Sequence, residues 1–257
     1  MFVKSIYSKH PNEDEIIKFI DAGLDTVFLN LNGTNSKEEV RYLFDKYCEQ
    51  IDLIPLVFYI QGDKRLQEYE HFSNNNHLIC PTNVNMIRKL IEFPKDLYLD
   101  GLCNSIAINF KSYAKDEDYH NHLIESRCEC ERCKDMTEKQ QRMTNITMIQ
   151  ETLEGIPLYS LSNANPYLLE ISDYWINEYT YNKWDPYKYI YQQLDNITVK
   201  SISVIRFHNV KRVMKSVMTD GYCLYPNDDI DYKKLKELNK KVDRYRDNWW
   251  FKFKKGK

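Results

Sequence analysis

The segment FVKSIYSKHPNEDEIIKFIDAGLDTVFLNLNGTNSKEEVRYLFDKYCEQIDLIPLVFYI, residues 2–60, writes one pattern twice and begins it a third time. Phe2 to Tyr7 reads as a short strand. Asn12 stands before Glu13-Asp14-Glu15, a helix start that leads into Ile16, Ile17, Phe19 and Ile20 and stops near Gly23. Thr26 to Leu31 is a second strand. Ser36, followed by Glu38-Glu39, opens a helix through Tyr47, and Leu53 to Ile60 is an apolar run of β-branched and aromatic residues. The order is β-α-β-α-β.

The alternation continues downstream. Val84, Ile87, Leu90 and Ile91 share a helical face, and Ser105 to Phe110 is a fourth strand. Met136 to Leu153 reads as a polar helix, Pro157 to Leu161 and Tyr174 to Tyr179 as strands, and Tyr187 to Leu194 as a helix. Ser201 to Phe207 is a strand, Val210 to Met218 a helix, Tyr222 to Tyr225 a last strand and Leu235 to Tyr245 a last helix. About eight βα units close into a barrel, and a barrel of ordinary size needs about 250 residues. The expectation is a single (β/α)8 TIM barrel over residues 1–257, with a helical and aromatic C-terminal tail at 231–257. A doubly wound open sheet shares the alternation, but no Gly-x-Gly-x-x-Gly turn follows the first strand. The polar segment Gly62 to Asn83 is too long for a simple connection and reads as a functional loop. Trp249-Trp250-Phe251-Lys252-Phe253 reads as a packed or partner-facing tail rather than a membrane anchor.

Composition narrows the function classes. The net charge of −2, from 36 basic against 38 acidic side chains, offers no general attraction for a phosphate backbone, so nucleic acid is disfavoured as a partner. No apolar run approaches the ~20 residues that span a bilayer, and Met1 leads straight into strand-like sequence without a signal-peptide pattern. A soluble, cytoplasmic protein with no membrane partner is expected. Seven cysteines, clustered rather than spread, fit a reducing compartment better than a disulfide scaffold. Aromatics at 14% exceed the needs of a core, and sugar-binding clefts are one place where they gather.

Within Cys128-Glu129-Cys130-Glu131-Arg132-Cys133, three thiols in six residues pair with one another only under strain but converge readily on one metal ion. A tetrahedral zinc site needs a fourth ligand, and Cys80, Cys103, His120 and His122 are the candidates. Cys80 is favoured. It ends the loop after strand three, the triplet follows strand four, and adjacent strands of a barrel bring both loops to one rim. Four protein ligands make a closed site, so this zinc would brace the loops at about 62–83 and 111–135 rather than activate water. Cys48 and Cys223 read as ordinary core residues.

The arrangement resembles the family-42 β-galactosidases and related glycosidase-like barrels, in which a cysteine after strand three joins a Cys-x-Cys-x-x-Cys after strand four. Gly23-Leu24-Asp25-Thr26-Val27, Cys80-Pro81-Thr82-Asn83, Asn177-Glu178-Tyr179-Thr180-Tyr181 and Asp220-Gly221-Tyr222-Cys223-Leu224-Tyr225 look like passages of such barrels at corresponding places. The resemblance implies a glycoside-hydrolase-like protein with a carbohydrate ligand or substrate. tRNA-guanine transglycosylases are also barrels with a Cys-x-Cys-x-x-Cys zinc motif, which would make the substrate a nucleobase. Their motif comes late in the barrel, whereas here about half the barrel follows it.

Barrel active sites form where the strands end. The wall residues expected there are Tyr7 and His10, Asn30 and Asn32, Tyr59 and Gln61, Asn109 and Lys111, Ser162 and Asn163, Glu178 and Tyr179, Arg206 and His208, and Tyr225 with Asp228. Amides, phenols and imidazoles suit the hydroxyls of a neutral sugar. Glycosidic cleavage ordinarily takes two carboxyl groups. Glu178 is the strand-end acid, Asp116 on the loop after strand four is a candidate second carboxyl, and His208 a candidate proton donor; Glu117, Asp118 and Asp228-Asp229 are further carboxylates nearby. Pairing of Glu178 with Arg206 or Lys111 would hold it ionised, as suits a nucleophile. Related barrels often carry an acid–Phe–acid pattern at the fourth strand, and this chain has Asn109-Phe110-Lys111 there. A barrel that has lost catalysis and serves as a glycan-binding or assembly protein is therefore the rival reading. A Gly-x-Ser-x-Gly elbow, a phosphate-binding Gly-Lys-Ser/Thr loop and a His-Glu-x-x-His helix are all missing, which removes support for serine-triad, P-loop and zincin chemistry.

Overall fold

A computed structural model describes residues 2–9, 12–31, 36–58, 80, 82–109, 130–161, 169–177, 199–207, 219–225 and 230–255, the last eleven of these as backbone helix. Eight strands, β1 (Val3–Ser8), β2 (Thr26–Asn30), β3 (Asp52–Phe58), β4 (Ile106–Asn109), β5 (Leu158–Leu161), β6 (Tyr174–Asn177), β7 (Lys200–Ile205) and β8 (Gly221–Leu224), pair in sequence order and close. Every pairing is parallel, and Val3 of β1 stands opposite Gly221 of β8 to complete the ring. The fold is the expected (β/α)8 barrel.

Among the described residues the helices are α1 (Glu13–Asp21), α2 (Lys37–Tyr47), α3 (Val84–Leu99), α4 (Glu138–Leu153) and α5 (Tyr232–Lys255). Their starts are chemically specified. Asn12 accepts from the Glu15 amide at 2.9 Å, and Asn83 accepts from the Met86 amide at 3.2 Å. Ser36 with Glu39, and Thr137 with Gln140, form reciprocal capping boxes. One helix, α5, differs in its bounds from the sequence reading. Pro94 lies inside α3, which continues to Leu99 because Leu90, Ile91, Phe93 and Leu97 are all buried and hold it on the barrel. α5 runs ten residues beyond the Tyr245 at which the pattern had stopped, to Lys255. The helices read at 187–194 and 210–218 lie outside the described residues.

Strand alternation sorts the apolar residues into two layers. Outward residues such as Ile6, Val27, Leu29, Leu53, Val57, Ile106, Ile108 and Leu224 pack under the helices. Inward residues, among them Val3, Tyr7, Phe28, Ile54, Leu56, Ala107, Tyr159, Leu161, Ile176, Ile202, Val204 and Cys223, fill the bore. Near the strand starts Tyr159 and Tyr174 stack with centroids 4.3 Å apart, and the Lys200 ammonium sits 4.9 Å from the Tyr174 centroid. Burial, first of all, keeps the Tyr159 phenol neutral well above its usual range. That end of the bore is filled, so a ligand enters from the other.

The same end is tied by aspartates. Asp25 accepts from the Lys4 amide at 2.7 Å, Asp173 from Leu158 at 2.9 Å and Asp220 from Ser201 at 2.8 Å. Each carboxylate stands just before its strand and satisfies the N–H of a neighbouring strand's start, where the sheet ladder has run out of partners.

Candidate functional site

Where the strands end, five of the expected wall residues fall in described segments: Tyr7, Asn30, Asn109, Arg206 and Tyr225. All have the inward parity of their strands. Tyr7 belongs to the bore cluster, Tyr225 packs against it, and Asn30, Asn109 and Arg206 stand two residues after inward-facing Phe28, Ala107 and Val204. Tyr7 and Tyr225 stack at 6.2 Å between centroids with 29° between planes. Ile205 is level with Leu224, and Leu224 with Ile6, so Arg206, Tyr225 and Tyr7 follow one another across β7, β8 and β1. Asn109 is buried, while Asn30, Arg206 and Tyr225 are partly exposed. The described floor of the mouth is thus two phenol rings, two carboxamides and a guanidinium. It offers apolar faces and fixed donors and acceptors, a surface suited to a polar, hydroxyl-bearing ligand. His10, Asn32, Tyr59, Gln61, Lys111, Asp116, Ser162, Asn163, Glu178, Tyr179, His208 and Asp228 lie outside the described residues.

A second cluster lies on the same side of the barrel. Cys80 precedes the start of α3 and Cys133 the start of α4, two helices that begin where strands have ended and that pack on one another. The Cys80 Sγ is 3.6 Å from the Cys130 Sγ and 3.5 Å from the Cys133 Sγ, and the three sulfurs lie within 4.8 Å of one another. Four thiolates at about 2.3 Å around one ion are separated by about 3.8 Å along each tetrahedral edge, so these spacings suit a shared metal. A disulfide would draw two sulfurs to about 2.05 Å. Local structure presents the pair of thiols: the Cys133 amide donates to the Cys130 carbonyl at 2.8 Å in a tight turn, and Gln141 Nε2 holds the Cys133 carbonyl at 3.1 Å. Burial raises the Cys133 thiol above its ordinary value, so thiolates here call for a cation beside them.

Thr82 belongs to this cluster and was not singled out from sequence. Its hydroxyl lies 3.2 Å from both the Cys80 and the Cys133 sulfur, placed to donate to one of them. The signal was its position two residues after Cys80, but its closeness to Cys133 is a product of folding.

The other cysteines separate cleanly. Cys103 lies in the turn before β4, beside Asp52 at the start of β3; burial first, then the nearby Asp52 charge, pushes its thiol up to about 12. Asp52 and Cys80 bracket β3 from opposite ends, so Cys103 is no partner for the cluster. Cys223 is in the bore, as expected of a core residue, with its thiol pushed up to about 12 by burial. Cys48 is half-buried at the end of α2 rather than in the core. Cys128, His120 and His122 lie outside the described residues.

No family model matches the sequence, and no curated protein is detectably similar to it. Solved structures do match. The GH36 α-galactosidase AgaA of Geobacillus stearothermophilus, as a doubly substituted variant in complex with stachyose, aligns with a TM-score of 0.63 at 11% identity, over 95% of this chain and 42% of that one. The glycoside hydrolase domain of a PelA variant from Pseudomonas aeruginosa aligns at 0.53 and 10%, over 88% of this chain and 94% of that domain. The likeness is one of fold. A structure described as native KDPGal also aligns, at 0.51 and 11%, over 95% and 94% of the two chains. The chain spans less than half the length of the α-galactosidases it matches.

Proposed function

We propose that this barrel is a glycoside-hydrolase-like protein that acts on or binds carbohydrate at the ends of its strands. The observation that carries the reading is the mouth itself: paired Tyr7 and Tyr225 rings flanked by Asn30, Asn109 and Arg206 above a filled bore. The fold shared with GH36 and PelA glycoside hydrolase domains supports it. In this reading His10, Asn32, Tyr59, Lys111, Asn163 and Tyr179 complete the substrate-binding wall. Glu178 is the central acid. Position 178 directly follows the last residue of β6, and Asp116 and His208 are the candidate partners of Glu178 in proton transfer.

The family-42-type arrangement of cysteines assigns Cys80, Cys128, Cys130 and Cys133 to one zinc ion. With four protein ligands its part is structural, holding the loop after β3 to the loop after β4 at the rim, and the three described sulfurs fit that role.

One observation favours a binding barrel without catalysis. Asn109 is buried and has the inward parity at the end of β4, the strand where related barrels place an acid, and a carboxamide neither protonates a leaving group nor attacks an anomeric carbon. Incubating the purified chain with a broad set of oligosaccharides and recording bound species and products by mass spectrometry separates the two. Products support a hydrolase and binding alone supports the lectin-like alternative. A chain that neither binds nor cleaves any of them refutes both.

A further inference from the structure

We propose that Cys130 is an oxidant-reactive site, which a peroxide couples to Cys80 as a disulfide so that the thiol cluster gives up its metal. The inference rests on the reading of these thiols as metal ligands and adds a modification to it. Three thiols meet here from two connections of the barrel, and water reaches them unequally. Cys80 and Cys133 are fully buried, whereas Cys130 is partly exposed. The Thr82 hydroxyl stands 3.2 Å from the sulfurs of Cys80 and Cys133, beside the two buried members. Among the described sulfurs of the cluster, Cys130 is therefore the one that a small solute meets from solution. Oxidation of thiols follows exposure and thiolate character, and a metal ligand is a thiolate already.

Cys80 is the partner that the geometry selects. Its sulfur lies 3.6 Å from that of Cys130, and a disulfide needs about 2.05 Å, so closure asks for about 1.5 Å of relative movement. Cys80 follows β3 and Cys130 follows β4, so the bond forms between two connections. It spares the turn in which the Cys133 amide donates to the Cys130 carbonyl at 2.8 Å. Cys48 and Cys103 are also partly exposed but stand outside the cluster. Exposure and neighbouring sulfurs coincide at Cys130.

The Cys130 thiolate attacks one peroxide oxygen, the O–O bond breaks, and hydroxide leaves a sulfenic acid on Cys130. The Cys80 thiolate then attacks the Cys130 sulfur, the S–S bond forms, and the sulfenic oxygen departs as a second hydroxide. Two protons from solvent convert both hydroxides to water. The two sulfurs together give up two electrons, and the peroxide takes both. A dithiol reverses the reaction by exchange. Metal ligation by cysteine needs the thiolate, so the neutral disulfide removes two anionic donors from the cluster at once. The connections after β3 and β4 are then joined by a covalent bond in place of shared ligation.

The test treats the reduced full chain with hydrogen peroxide. Peptide mapping by mass spectrometry without reduction locates the disulfide, and a zinc indicator in solution follows the metal released. The expected result is a disulfide between Cys80 and Cys130 and the loss of one zinc for each disulfide formed, both reversed by dithiothreitol. Cys48→Ser and Cys103→Ser should each leave both yields unchanged. No disulfide, a disulfide confined to Cys130 and Cys133, or complete oxidation with the metal retained would overturn the proposal. The zinc content of the reduced chain, measured before the oxidant is added, tests the metal reading by itself. With zinc present, failure to form the disulfide or to release metal refutes this inference alone; with none present, both readings fall.

Discussion

Replacing Asp25 by Asn should stabilise the barrel at neutral pH and not at acid pH. Asp25 sits largely buried before β2, where its Oδ1 accepts from the Lys4 amide at 2.7 Å and from the Thr26 hydroxyl at 3.4 Å. Burial outweighs those donors and the Lys4 charge, raising its pKa from 3.8 to about 6. A carboxyl whose folded pKa lies above its unfolded one binds more protons when folded across that window, so its favourable contribution is complete below 3.8 and is lost as pH rises through 6. The gap of about two units, at 1.36 kcal/mol each, corresponds to about 3 kcal/mol lost by neutral pH. Asn keeps an oxygen for the Lys4 amide and cannot ionise. Urea unfolding of both proteins on either side of the window is the assay. The variant should gain about 3 kcal/mol above pH 7, or about 6–12 °C in melting temperature, and nothing below pH 4. A stability difference independent of pH, or a loss at neutral pH, would show that the Asp25 charge is well accommodated and refute the reasoning.

Other consequences bear on the thiol cluster and the barrel seam. The proposed zinc site predicts that Cys80→Ser loses metal, measured as metal per chain by inductively coupled plasma mass spectrometry, while Cys103→Ser leaves the metal content unchanged. Thr82→Val keeps the shape but removes a donor 3.2 Å from two sulfurs, and should weaken metal affinity about 10–100-fold in a chelator competition. Gly221→Ala should lower stability by about 3 kcal/mol in urea unfolding, because a Cβ there would stand 2.5 Å from the Val3 carbonyl oxygen where β8 closes on β1.

Much of the fold was legible because its signals are local. Capping residues Asn12, Ser36 and Thr137 lie next to the helices they start, and the strand runs lie within one or two residues of their observed bounds. The association of Cys80 with Cys130 and Cys133 was legible too, because neighbouring parallel strands of a barrel must deliver their loops to one rim. What escaped reading depends on residues that meet only after folding. The tie from Asp220 to Ser201 spans nineteen positions and looks like an ordinary turn residue in the sequence. Thr82 gains its meaning from Cys133, fifty-one positions away. The run of α5 past Tyr245 escaped because an aromatic and basic segment reads equally as a packed tail or as a continued helix. Of the mouth, Tyr7, Asn30, Asn109, Arg206 and Tyr225 lie in described segments at or next to strand ends, and their part in binding belongs to the proposal, while the candidates for chemistry, Glu178, Asp116 and His208, lie outside the described residues.

The most direct test of a carbohydrate-active mouth is the rate at which Glu178→Gln cleaves whichever oligosaccharide the native chain turns over, measured beside its affinity for that sugar. The expected result is a loss of roughly a thousandfold or more in turnover with binding retained, because the carboxamide keeps the shape and loses the charge and the proton. Unchanged turnover in the variant would contradict this and remove Glu178 from the chemistry.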